Sequence, residues 1–182
     1  MQEIAPMTNE DHSTELVWVK PKWSRLQFEL RAGDAVVATL DWARGAQALG
    51  RWGEATYRFS RKGWLRPRVL VRSVPAQDAD APLATFEVRR GTLILPDARA
   101  FCWQKPRRLA RERLWVDDTG RELARFRPEK RATVVVIAPA EVARHPELPL
   151  LILLGQYLLV SAAQDAEAAS TAAVIAAVGG GS

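Results

Sequence analysis

Apolar and polar residues alternate with a period of two along most of the chain. In "SRLQFEL", Leu26, Phe28 and Leu30 fall on one face and Arg25, Gln27 and Glu29 on the other. That is the mark of a strand with one buried side. The turn "RAGD" follows, with Gly33 able to take positive φ, and "AVVATLDW" returns to complete a hairpin. The arrangement recurs. "TYRFSRKGW" and "RPRVLVRSV" pair across Lys62 and Gly63, "LATFEVRRGTLILP" folds back at Gly91, and "ERLWVDDTGRELARF" turns between Asp117 and Gly120. "ELVWVKPKW", "RAFCWQ" and "RATVVVIAP" are further strands, and the glycine-broken "GAQALGRWGEA" has room for a short one. The pattern predicts roughly eleven or twelve short strands, at the turn spacing of an antiparallel sandwich or barrel.

The period changes in "PAEVARHPELPLLILLGQYLLVSAAQDA". A short helix is expected around Ala140–Arg144, broken by Pro146 and Pro149. An apolar helix then spans about 148–163, with no charged residue between Glu147 and Asp165. A membrane span needs about 20 apolar residues. Leu148 to Gln164 is 17, interrupted by Gln156, and no Lys, Arg, Trp or Tyr follows to mark a membrane interface. A C-terminal membrane anchor is the minor alternative; otherwise a helix apolar on every face must be surrounded by protein. An open sheet would leave its far side wet, whereas a closed sheet of about twelve strands is wide enough to hold one helix along its axis. Closure also removes edge strands. The expected fold is therefore mainly β: a closed antiparallel barrel of about twelve strands enclosing the hydrophobic C-terminal helix. The barrel domain is expected over 16–165. Residues 1–15 form an acidic tail, and 166–182 an alanine- and glycine-rich low-complexity tail expected to fray.

The strand series, the segment "W…DDTGRELARFRP" and the terminal "PELPLLILLGQYLLV" together resemble the tubby C-terminal-like superfamily. Tubby proteins, phospholipid scramblases and LURP-one-related proteins share that architecture. The resemblance covers about residues 16–165 and is similar in pattern to the short prokaryotic members. It implies a barrel threaded by its helix and a role in binding anionic phospholipid headgroups. No cysteine-rich segment or loop with calcium-ligand spacing accompanies it, so it implies no calcium requirement.

Charge sharpens this picture. All 26 Lys and Arg residues lie between residues 16 and 146, where they face 14 of the 21 acids. A field that positive attracts phosphate headgroups, nucleic acid or an acidic protein. The bases cluster in "RKGWLRPR", in the "RR" hairpin tip at 89–90, in "KPRRLARER" and in "RFRPEKR", interleaved with Trp64, Trp103 and Trp115. Arginine binds phosphate through paired hydrogen bonds. The anion-binding candidates are Arg66, Arg68, Arg107, Arg108, Arg111 and Arg113. Any one such cluster is more often a solvated charged face.

Catalytic signals are few. His12 and His145 are distant from each other and from Cys102, the single cysteine, which has no partner in the chain for a disulfide. Nucleophile-elbow, phosphate-loop and dinucleotide motifs are missing. Asp78 and Asp80 are too few for a calcium site. The expectation is a binding module without catalytic residues, metal or cofactor. Its expected partner is an anionic membrane surface or another polyanion; the alternative is a structural or protein-interaction barrel with an acidic protein partner, and nucleic acid comes third. Residues 1–15 lack the basic start and apolar run of an export signal, which gives the expectation of a cytoplasmic protein, peripheral at the inner face of the membrane.

Overall fold

A computed structural model describes residues 13–22, 26–43, 45–75, 81–106, 111–129 and 133–179. Twelve strands close into one antiparallel barrel: β1 (Thr14–Val19), β2 (Gln27–Ala32), β3 (Ala35–Trp42), β4 (Gln47–Trp52), β5 (Ala55–Lys62), β6 (Arg68–Ser73), β7 (Ala84–Glu87), β8 (Thr92–Ile94), β9 (Ala100–Gln104), β10 (Arg113–Val116), β11 (Glu122–Pro128) and β12 (Val134–Ala138). Each strand pairs with its neighbours in sequence, and β1 closes the ring on β12 from Thr14↔Ala138 to Trp18↔Val134. The architecture is the one the apolar pattern predicts.

Alternation sets what lies inside. Trp18, Leu30, Leu40, Phe59, Val71, Phe86, Leu93, Trp115, Phe126 and Val136 are fully or almost fully buried and line the lumen. A turn of 3-10 helix, Ala140–Val142, stands where a short helix is expected. The chain then returns through the barrel as α1 (Leu148–Gly179). Leu150 to Tyr157 are all buried, including Gln156 at 2% exposure, and burial ends near Val160. Within the described residues, Leu148–Ala172 is long and apolar enough to cross a membrane, but more than half of its most apolar window is buried inside the protein. The helix fills the barrel.

Two expectations change. The helix does not stop near Ala163 but continues to Gly179, because the alanine-rich sequence has the highest helix propensity available and no Pro or Gly interrupts it. As expected, "GAQALGRWGEA" holds a short strand, β4, in which Gly50 faces the helix. The β5–β6 hairpin turns over Gly63–Pro67 rather than about Lys62 and Gly63 alone, since Lys62 still pairs with Arg68. Small residues let the helix approach the wall closely. A Cβ at Gly50 would lie 3.1 Å from Leu153 Cδ2.

α1 is tied at both ends. At its start, Glu147 pairs with Arg99, and Leu150 borders a cavity with Tyr57, Leu83 and Leu95. At the other, the Tyr157 hydroxyl donates to the Ala46 carbonyl at 2.7 Å and Arg61 pairs with Asp165 at 2.6 Å. Tyr157 also stacks on Trp42 and Phe59, with ring centroids 4.8 and 5.4 Å away. Desolvation by this burial raises its pKa.

Candidate functional site: the basic end of the barrel

In a barrel whose strands are all antiparallel, successive connections fall at alternate ends. At the end where α1 emerges, the connections are 20–26, 43–46, 63–67, 88–91, 105–112 and 129–133. Their described residues include Lys20, Lys22, Arg66, Arg89, Arg90, Lys105 and Arg111, against Glu112 and Glu129. In sequence, the same connections also contain Arg25, Arg44, Arg107, Arg108, Lys130 and Arg131, and no further acid. The opposite connections carry Asp34, Glu54, Asp97, Asp117, Asp118, Glu141 and Glu147 among their described residues, against Arg99, Arg121 and Arg144. The barrel thus has a basic end and an acidic end.

The hairpins at the basic end form a ring, in which 63–67 neighbours 88–91 and 88–91 neighbours 105–112. Between the first two lies a cavity of about 350 Å³ lined by Arg66, Pro67, Arg68, Glu87, Arg89 and Arg90. Glu87 stands opposite Arg68 across the β6–β7 ladder. It pairs with Arg90 at 3.3 Å and more loosely with Arg68 at 3.8 Å. One carboxylate thus anchors two of four guanidinium groups, and Arg66 and Arg89 have no ion-pair partner among the described residues. The backbone holds the walls together: Val88 N–H donates to the Pro67 carbonyl at 3.2 Å and Gly91 N–H to the Glu87 carbonyl at 2.8 Å. Gly91 sits at φ +67°, where a Cβ would meet the Trp103 carbonyl oxygen at 2.7 Å, so the Arg89–Arg90 tip requires glycine after it.

The candidates named from sequence divide into groups. Arg66 and Arg68 share the cavity. Arg111 is exposed in the next connection of the ring. Arg113, at the start of β10, is half-buried and donates to the Glu112 carbonyl at 3.1 Å, and burial pushes its guanidinium below the usual arginine range. Arg107 and Arg108 lie outside the described residues, as do Asp78, Asp80 and His12. Arg89 and Arg90 were recognisable as a hairpin tip but not as part of a site. The signal that finds them is the two-hairpin period, which brings alternate connections to one end.

The arrangement offers several guanidinium groups with free donors and one carboxylate, suited to an oxyanion such as phosphate. No cluster of three or more His, Cys, Asp or Glu able to hold a metal occurs among the described residues. No family model, curated protein or solved structure matches the chain.

Proposed function

We propose that the protein is a binding module that docks the basic end of its barrel on an anionic phospholipid surface, with headgroup phosphates entering the Arg66–Arg68–Arg89–Arg90 cavity. The observation that carries this reading is the segregation of charge between the two ends. Bases scattered around a barrel would give solubility and little direction. Connections rich in bases at one end and in acids at the other orient the molecule in the field of a charged surface. The resemblance noted in the sequence favours a lipid headgroup over other polyanions.

The test is flotation of purified protein with vesicles of phosphatidylcholine alone or mixed with phosphatidylserine, across a salt series. Capture by the mixed vesicles alone, declining as salt rises, is expected. Each basic residue near an anionic leaflet contributes about 1 kcal/mol, so Arg89→Glu with Arg90→Glu should lower partitioning by about tenfold or more. Equal capture by neutral vesicles, or none by acidic ones, rules the reading out. Specific capture of an acidic protein in place of vesicles would move the same end to a protein partner.

A further inference from the structure

The β5–β6 hairpin carries the most conspicuous unpaired apolar surface among the described residues. Trp64 is 93% exposed and Leu65 72% exposed, whereas the other exposed large apolar side chains lie between 38% and 49%. Trp64 makes no hydrogen bond or ring contact to the described residues, unlike Trp42, Trp103 and Trp115, which all pack against other rings. Single exposed apolar side chains are ordinary. An adjacent Trp–Leu pair at the tip of a hairpin is a different case, because two large apolar side chains stand side by side in sequence and are left largely uncovered by the described residues.

The tip is also framed. Gly63 has φ +80°, and a Cβ there would stand 2.8 Å from the Arg66 carbonyl oxygen, so the turn is tight and closed to other residues. Pro67 ends it, and its carbonyl is tied to Val88 of the next hairpin. These constraints at both ends of the turn lower the ordering penalty of binding through its tip. Around it stand Lys62, Arg66 and Arg68, all exposed, and Arg89 and Arg90 on the neighbouring turn. A protein partner for Trp64 and Leu65 would have to present an apolar pocket inside a strongly acidic rim. An anionic bilayer presents that combination everywhere, with phosphates at the level of the cations and acyl chains just below. Tryptophan favours that boundary because its ring is apolar and its indole N–H can stay in the headgroup layer.

We infer that Trp64 and Leu65 form a shallow membrane anchor, entering the boundary between headgroups and acyl chains while the surrounding arginines hold phosphates. The inference rests on the anionic-surface reading above and adds a contact that salt does not screen. Electrostatic attraction brings the basic end to the membrane and weakens with salt, whereas burial of the two side chains does not.

The experiment compares wild-type protein, W64A/L65A and R89E/R90E on vesicles of phosphatidylcholine with phosphatidylserine, at low and high salt. Tryptophan fluorescence is recorded with brominated acyl chains as quencher. Wild type should retain measurable binding at high salt and be quenched. W64A/L65A should still float at low salt, lose high-salt binding by about tenfold or more, and show little quenching when bound. Both side chains are exposed, so the variant should melt at the wild-type temperature. If W64A/L65A binds and is quenched like wild type at every salt concentration, the anchor is wrong and headgroup binding stands. If wild type does not bind acidic vesicles at all, both readings fall. If W64A/L65A leaves vesicle binding intact but abolishes capture of an acidic protein, the tip is a protein contact and the anchor is overturned.

Discussion

A Cβ placed on Gly155 would stand 2.8 and 2.9 Å from Cε1 and Cε2 of Phe126. In an exposed helix, Gly→Ala stabilises by about 1 kcal/mol through propensity alone. Here the neighbour decides the sign. Phe126 is fully buried and sits edge-on to Trp103 with ring centroids 5.0 Å apart, so it has little room to retreat. Overpacking of a filled core costs about 1–3 kcal/mol. Gly155→Ala is therefore expected to lower stability by a net ~1–2 kcal/mol in urea unfolding. An unchanged or raised midpoint would mean that the helix can shift away from β11. Nothing in the local sequence gives this contact away. "LLGQY" shows a glycine within an apolar helix, and only the passage of α1 through the lumen brings β11 against it.

The β10–β11 hairpin is the element most legible from sequence, and its chemistry agrees. Asp117 Oδ1 accepts from the Thr119 hydroxyl at 2.6 Å, from Thr119 N–H at 3.0 Å and from Arg121 N–H at 2.9 Å. Gly120 follows at φ +83°. The Thr119 hydroxyl, then the backbone donors, hold the Asp117 carboxyl below its usual pKa. A depressed folded-state value means that the carboxylate stabilises the fold above the unfolded pKa of about 3.9 and loses that contribution as pH falls through the lower folded value. Asp117→Asn should be less stable than wild type at neutral pH, and the gap should close as pH drops below about 4. Thermal melts of both proteins from neutral to acidic pH measure it, and a gap independent of pH would show that the charge contributes nothing. Other elements were harder to see. β4 hides behind Gly50, a residue that weakens a strand on its own and is kept small where Leu153 and Phe59 press against it. The outer half of α1 carries no amphipathic pattern, and its helicity comes from alanine alone.

At the scale of the whole molecule, two properties arise from closure. One is the pair of charged ends. Every base that contributes is visible in the sequence, but cluster by cluster each looks like a solvated turn. They add up only when a ring of hairpins sends alternate connections to the same side. Arg89 and Arg90 join Arg66 and Arg68 for that reason. The other property is that the core belongs to a helix and a sheet that cannot exclude water separately. The apolar stretch after Glu147 was interpretable because its two possible surroundings, lipid and barrel, make different demands on length and flanking residues. It follows that the inner and outer halves of α1 should behave oppositely. Leu151 is fully buried in the lumen, and Leu151→Ala should destabilise the fold by about 2–5 kcal/mol. Ending the chain after Ala166 removes only helix that is exposed where its side chains are described. It keeps the Arg61–Asp165 pair and should change stability by about 0.5 kcal/mol or less. Equilibrium unfolding of the two variants decides the matter. A truncation as damaging as Leu151→Ala would mean that the outer helix is part of the fold after all. A harmless Leu151→Ala would mean that the helix does not fill the barrel in solution and is free to find its apolar surroundings elsewhere.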